Sequence, residues 1–459
     1  MALPFIGPSY ALDSRTHGVQ RTVNLIPVQL ESGTERTQWA YQDLPGLTQF
    51  ADLSASGECR GAITVLGRNF QCVGSTLYEV FSDGTSTSLG TIGTSSGPVD
   101  FASNRVHLVV VDGAGMYYWP LVGGTVTYVT TAGARVAFIN QYLLTTDPNT
   151  EQFKWSDVGD ATTWDALSFA SAEGAPDNLV GVLVDHLDVK LLGTTSVETW
   201  VNTGSSSVFE RDGGRYVEHG CAAPFSAQKI ANTFMWLGSD ERGSLAVFMD
   251  AGGQPTRVST RFVEQKLNGI DVSEARAYTY VQDGLPFYCL NVPGVDTTLV
   301  YEVGSKQWHE RAELVDGDYT QHRAVCHSFA FNKHIVGSTS GKLYYFDNTK
   351  SNNAGDVLVR DRICPDRATP SRQLIRYPFF ALDCERGHGG KVLLRYSNDG
   401  GRNWGAWLER HLGELGNFKP QIQFDRCGAA RDRVWHVRVT DDVPFNPVGA
   451  VDGGPDRAE

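Results

Sequence analysis

Near the C-terminus, Ser397-Asn398-Asp399-Gly400-Gly401-Arg402-Asn403-Trp404 spells S-x-D-x-G-x-x-W, the Asp-box, at every fixed position. These residue types suit one task. The Ser397 and Asp399 side chains satisfy turn amides, Gly401 permits a positive φ, and Trp404 tucks back on the sheet, so the expected chemistry is a capped β-hairpin. Other reactive residues carry less. A glycosidase needs two carboxylates facing across one sugar, and with 52 Asp and Glu residues such a pair is available anywhere and selects nothing. His322, Cys326 and His327 suggest a metal, but the adjacent Cys326 and His327 point to opposite faces of a strand. Arg426, Arg431, Arg433 and Arg438 are interleaved with Asp425, Asp432 and Asp441, and a solvated face is the favoured reading over a nucleic-acid contact. The chain has no P-loop, no G-x-G-x-x-G after a strand, no G-x-S-x-G and no H-E-x-x-H. No catalytic, cofactor or metal residue is therefore assigned.

The elements that must position the hairpin emerge from a repeat. Leu77–Phe81, Met116–Trp119, Phe153–Trp155, Val197–Trp200, Leu245–Phe248, Leu299–Val303 and Leu343–Phe346 are strands in which aliphatic and aromatic residues crowd together, as sheets packed on both faces require. Their starts lie 37 to 54 residues apart, the length of one propeller blade. Gly61–Leu66, Arg105–Val111, Ala137–Ile139 and Phe234–Leu237 read as strands that precede an aromatic strand by a short connection. One aromatic strand could be swapped between the chain ends to close a ring, so the pattern allows six or seven blades.

Composition agrees with an all-β protein. Aromatic residues make up 11% of the 459 residues and Gly numbers 49, which suits short strands and tight turns. The only expected helix is Arg261–Leu267, capped by Ser259 or Thr260 and stopped at Asn268-Gly269. The net charge of −13 argues against a protein whose main task is to grip nucleic acid. Eight scattered cysteines without a C-x-x-C pair read as buried or free thiols of a chain folding in a reducing compartment. The proline-broken N-terminus lacks the basic region of a signal peptide, and no apolar run approaches the ~20 residues of a membrane span.

Four segments follow. Residues 1–56 lack the blade pattern and, with Pro4, Pro8, Pro27 and a type II turn at Pro45-Gly46, read as an extended arm on a surface. Residues 57–350 are the β-propeller. Ser351–Gly355 reads as a linker into an antiparallel β-domain over 351–445, where Val434, His436 and Arg438 alternate with Trp435, Val437 and Val439. Residues 446–459 read as a frayed tail.

Several phrases together resemble the packaged-DNA stabilisation proteins, or tail nozzle proteins, of short-tailed bacteriophages. They are Val23–Pro27 with Pro45–Leu47, Ser259-Thr260 with Val263-Glu264, Gly284 through Tyr288, Tyr301 and Trp308–Arg311. Later come Gly341–Tyr344, Leu394–Ser397 running into the Asp-box, Leu412-Gly413 with Gly416, Arg431–Val434 and Val439–Asp441. The resemblance implies a non-enzymatic six-bladed propeller in a hexameric ring below the portal and adaptor of the virion. Such a ring retains packaged double-stranded DNA, lets it pass at ejection, docks tail fibres or spikes, and is synthesised in the host cytoplasm. It implies no cofactor. The alternative is a glycan-binding or glycan-cleaving propeller similar to the sialidases. That family would bring several Asp-boxes and an early Arg-Ile-Pro, whereas this chain has one box and Leu25-Ile26-Pro27.

Overall fold

Strands Cys59–Val65, Arg68–Val73, Thr76–Val80 and Ser86–Thr91 pair antiparallel in sequence order, and this small sheet sets the pattern for most of the chain. The same pattern recurs over 100–131, 136–171, 179–217, 220–257, 276–315 and 324–347. In a computed structural model, the chain is described over residues 3–10, 20–34, 37–175, 177–205, 207–239, 243–368, 372–414, 416 and 421–453. It is almost all β, with several small antiparallel sheets resembling propeller blades. Each aromatic stretch expected from the sequence falls on the third strand of its sheet, with a paired strand on either side, although Phe81 lies just past the end of its strand and is exposed. Before Met116–Trp119 and Leu245–Phe248 the preceding stretch is the adjacent second strand. Gly61–Leu66 and Ala137–Ile139 are first strands, with a whole strand between them and the aromatic one.

One backbone device also repeats. In five of these sheets the first hairpin is a two-residue loop with positive φ at both positions: Leu66-Gly67, Asn140-Gln141, Ala231-Asn232, Asp283-Gly284 and Phe331-Asn332. That is the signature of a type I′ turn, whose twist matches that of the flanking strands. The first strands then lie side by side. Two cavities of about 180 and 330 Å³ are lined by residues of Cys59–Val65, Asp100–Ser103, Val136–Ile139, Leu179–Asp185, Gln228–Ile230, Arg276–Gln282 and Ala324–Ala330.

The chain ends meet in two places. Gly46–Asp52 pairs with Lys342–Asp347 as the fourth strand of the last of these sheets, in register from Gly46↔Asp347 to Asp52↔Lys342. That sheet lies against the first one, where Asn69 Nδ2 and Gln71 Nε2 donate to Ser328 Oγ at 2.7 and 3.2 Å. Gly46 does not have the positive φ of a type II turn. It is required because a Cβ there would lie 2.3 Å from the Asn352 carbonyl oxygen. Asn352-Asn353 in turn pairs with Leu47 and with Asp356-Val357, so the expected linker is packed onto this sheet.

The second junction is Arg21–Val23. It pairs in parallel with Gln307–Val315 on one side and antiparallel with Arg360–Ile363 on the other. Asp432–Val439, Lys391–Ser397 and Leu408–His411 follow, giving one continuous sheet that runs from the 276–315 strands into the C-terminal body. A separate sheet of Gln421–Asp425, Phe379–Cys384 and Pro447–Asp452 packs across it. Phe380, Leu382, Ile422, Phe424 and Ala450 meet Val392, Leu394, Trp435, Val437 and Val439 in one core. The strand to Asp452 means that 446–453 is ordered sheet and not a frayed tail, while 454–459 lie outside the described residues.

The N-terminal segment is also built in rather than laid on a surface. Leu3, Phe5, Leu25 and Tyr41 belong to the same core. Arg362, fully buried, holds it there: Nε donates to Phe5 O at 2.5 Å, and the terminal nitrogens reach Thr22 Oγ1 and Gln20 Oε1, both at 2.9 Å, and Pro8 O at 3.3 Å. A proline-rich stretch offers carbonyls and few amide donors, and a five-donor guanidinium is its complement.

The helix Arg261–Leu267 is where the sequence places it, between the 220–257 and 276–315 sheets, with Phe262, Val263 and Leu267 buried. Neither expected N-cap works by its side chain: Thr260 makes no capping bond, and Ser259 Oγ donates instead to Glu264 Oε1 at 2.7 Å. All eight cysteines are buried and free.

Candidate functional site: a charge ladder on the shared sheet

Alternation on Gln307–Val315 sends Trp308 and Glu310 to one face and His309 and Arg311 to the other. Arg311 lies over the rings of Tyr280, Phe287 and Phe346 at 5.2, 5.2 and 5.8 Å. Beside it, burial and its charge push the His309 imidazole well below its usual range. Glu310 begins a line of charges across the continuous sheet.

The Glu310 carboxylate is buried and fully engaged. It accepts from Arg21 Nε at 3.0 Å and a terminal Arg21 nitrogen at 2.7 Å, and from Ser9 Oγ and Thr297 Oγ1, both at 2.9 Å. The Lys266 ammonium lies 3.0 Å away. Burial alone would raise its pKa; the Arg21 and Lys266 charges and their hydrogen bonds outweigh it and hold the carboxyl well below the usual range. Arg21 stacks over Tyr319 at 4.7 Å. The Tyr319 hydroxyl donates to Asp361, the second buried carboxylate.

Asp361 also accepts from Arg438 Nε and a terminal Arg438 nitrogen at 2.8 and 2.7 Å, and from His436 Nε2 at 2.8 Å. Burial works against its ionisation, but His436 and Arg438 together depress its pKa. Arg395 Nε donates to His436 Nδ1 at 3.0 Å. That leaves Nε2 of a neutral ring as the donor toward Asp361 and fixes the tautomer. Burial, with Arg395 and Arg438 adding to it, lowers the His436 pKa against the opposing pull of Asp361.

The Asp-box lies at the far end of the ladder. Ser397 is buried and Asp399 exposed. Asp399 Oδ1 accepts from Ser397 Oγ at 2.6 Å, Asn403 N at 2.9 Å and Arg402 N at 3.1 Å, while Oδ2 accepts from Asn403 Nδ2 at 2.6 Å. Ser397 Oγ accepts from Gly401 N at 2.9 Å, and Gly400 and Gly401 both have positive φ. Hydrogen bonds from the Asn403 amide and Ser397 lower the Asp399 pKa to about 2. Both carboxylate oxygens are taken up inside the turn. Trp404 packs on the outer face of the sheet against His436, at a ring separation of 5.2 Å, and under Arg395 at 4.8 Å.

The remaining candidates disperse. His327 Nε2 faces His334 Nδ1 at 3.0 Å, whereas Cys326 packs toward Cys59 and Ala51, and His322 lies by Phe346. Among the described residues no group of three or more His, Cys, Asp or Glu side chains could hold a metal ion. The four C-terminal arginines are not one solvated face. Arg433 is buried over the rings of Tyr377, Tyr396 and Trp435 and donates to Cys427 O at 2.8 Å, and Arg438 is bound to Asp361. Only Arg426 and Arg431 are exposed. Arg21, Asp361 and Trp407 carry no motif; Glu310 and Arg395 lie in the phrases Trp308–Arg311 and Leu394–Ser397, and the local signal here was the alternation of Val434, His436 and Arg438.

Solved structures with some likeness include the N-terminal domain of Nup159 (9% identity, TM-score 0.43, covering 71% of this chain and 98% of that one) and the Neurospora crassa Pan2 WD40 domain (8%, 0.43, 66% and 95%). The WD40 domain of Toxoplasma gondii coronin is similar at 10% identity and TM-score 0.39, covering 74% of this chain and 87% of that one. Likeness at this level carries no functional argument. No curated protein matches the chain. Among the described residues no helix is long and apolar enough to cross a membrane. A family model described as Bacteriophage P22 Gp10, beta-propeller matches residues 3–351, and the chain therefore belongs to this family of phage stabilisation proteins, with a structural role in the phage tail.

Proposed function

We propose that the chain is a nozzle component of a short phage tail, forming a ring of six copies below the portal and adaptor. In this reading the sheets over 59–347 are seven blades of one propeller, closed by Gly46–Asp52, and the β-body after residue 350 is a second domain. The ring retains the packaged genome, provides the ejection path and docks fibres or spikes. The chain is synthesised in the host cytoplasm and carried into the virion.

The observation that carries this reading is the family match, joined to a sheet that runs unbroken between the two bodies. A part that bears load between neighbours needs a fixed angle between its bodies, and Arg21–Val23 supplies one by pairing with both. In this reading the duplex path lies between copies, which is what a closed ring provides.

The test is genome retention. Particles assembled without this chain should package DNA and then lose it, leaving the genome open to added nuclease. Particles that keep a nuclease-resistant genome without it would overturn the proposal.

A further inference from the structure

Arg395 is the one cation of the ladder without a carboxylate of its own. Its guanidinium lies between two indoles, 4.8 Å from the Trp404 ring centre and 4.3 Å from that of Trp407. Trp407 also lies 4.9 Å from His436 and 5.2 Å below Arg438. The nearby acid, Asp361, already serves Arg438, His436 and Tyr319. Arg395 spends only Nε, on the neutral His436, and its two terminal nitrogens have no partner among the described residues.

The arrangement is preorganised. Contact with two rings removes rotamer freedom from a long side chain before any ligand arrives, and leaves the terminal nitrogens of the planar fork free to bind one. Arg395, Trp404 and Trp407 are all partly exposed. The local field is positive: burial and the repulsion of Arg438 lower the Arg395 pKa despite Asp361. An arriving anion would relieve that repulsion.

We propose that the Trp404–Arg395–Trp407 sandwich is a carboxylate-binding site that takes an Asp or Glu side chain from a partner protein. The planar fork matches a carboxylate bidentately, and the indoles provide apolar walls for the methylene groups of that side chain. A single protein acid fits better than a nucleic-acid backbone because the chain carries −13 overall, so a long polyanion is repelled around a site that neutralises one charge. The site does not depend on the number of copies in the ring.

The test uses the full chain labelled with ¹⁵N at arginine, titrated with a short capped peptide carrying a single Glu and, separately, with a short DNA duplex. The expected result is a saturable shift of the Arg395 Nε–H resonance by the peptide, with a dissociation constant in the millimolar range usual for one half-exposed ion pair. Arg395→Lys keeps the charge and loses the fork, and should weaken the peptide on the order of ten-fold. Arg395→Gln should abolish binding while the chain stays folded, as its amide spectrum reports. If Arg395→Gln does not fold, Trp407→Leu replaces it, and loss of one wall should weaken the peptide several-fold. A resonance that does not move with peptide would make Arg395 only a staple for the hairpin and overturn the proposal. So would peptide binding undiminished by these substitutions, or duplex DNA displacing the peptide.

Discussion

Asn24 and Ala312, 288 residues apart in sequence, are joined by two hydrogen bonds: Asn24 Nδ2 donates to Ala312 O at 2.7 Å, and Ala312 N donates to Asn24 Oδ1 at 3.0 Å. The same Nδ2 donates to Val359 O at 2.7 Å. One buried amide thus ties the N-terminal strand to both neighbours at the point where the two bodies share a sheet. Its φ of 55° lies in the left-handed region, which Asn tolerates better than most residues.

Asn24→Ala should therefore lose twice. It leaves buried backbone groups of Ala312 and Val359 unpartnered and strains the backbone, at a combined cost of about 3–5 kcal/mol. Asn24→Gly relieves only the strain and should recover part of that. Urea unfolding checks the order: wild type most stable, then Gly, then Ala.

Acid should weaken the fold in two stages. His322 and His327 are pushed down to about 3 by burial, with Arg311 adding to it for His322 and His334 for His327. Their unfolded value is 6.5, so between these limits the unfolded chain binds more protons. Their contribution is whole above that value and is lost as pH falls. Glu310 and Asp361, both held below their ordinary values, add a second loss below the usual carboxyl range. The urea midpoint should fall as the pH drops from about 6.5 toward 3, and His322→Gln should lessen that fall.

For the hairpin, Asp399→Ala should loosen the turn without touching the sheet core. Amide exchange at Arg402 and Asn403, the two backbone donors to Asp399, should accelerate while Val437 and Leu394 stay protected. Because its pKa is lowered to about 2, the wild-type turn should hold its protection throughout the mildly acidic range.

DNA binding should be weak. Three arginines lining the small cavities are already engaged: Arg135 Nε lies 2.9 Å from Asp100, Arg276 lies 3.5 Å from Glu58, and Arg60 donates to the carbonyls of Gly74, Thr94, Ser96 and Gly97. A conduit wall must not hold phosphates tightly. Anisotropy titration should give a dissociation constant no tighter than about 10 μM at physiological salt, with no sequence preference and a steep loss on adding salt.

The repeat was legible because its third strands are unusual. Sheets covered on both faces need crowded aliphatic and aromatic side chains, and Leu343–Phe346 and Met116–Trp119 announce them. The type I′ turns were not legible, since Leu66, Ala231 and Phe331 occupy positive-φ positions where Asn or Gly is the usual signal. The N-terminal strands were hidden for another reason. Arg21–Val23 is three residues long and pairs with segments some 290 and 340 residues away, and short strands with remote partners leave little local pattern. The buried ladder was not legible because Arg21, Glu310 and Asp361 look like surface residues until their partners are known. The Asp-box was legible as a turn, but its tryptophan stacks on Arg395 and His436, a contact set by neighbouring strands and absent from the motif.

Electron microscopy of intact particles carrying this chain decides whether it works as a ring. The expected image is a closed ring of six copies at the base of the portal and adaptor, about 300 kDa for six chains of 50.2 kDa, with the duplex path between copies and not through any single propeller. A tail with another copy number, or with this chain in no ring at all, would contradict it.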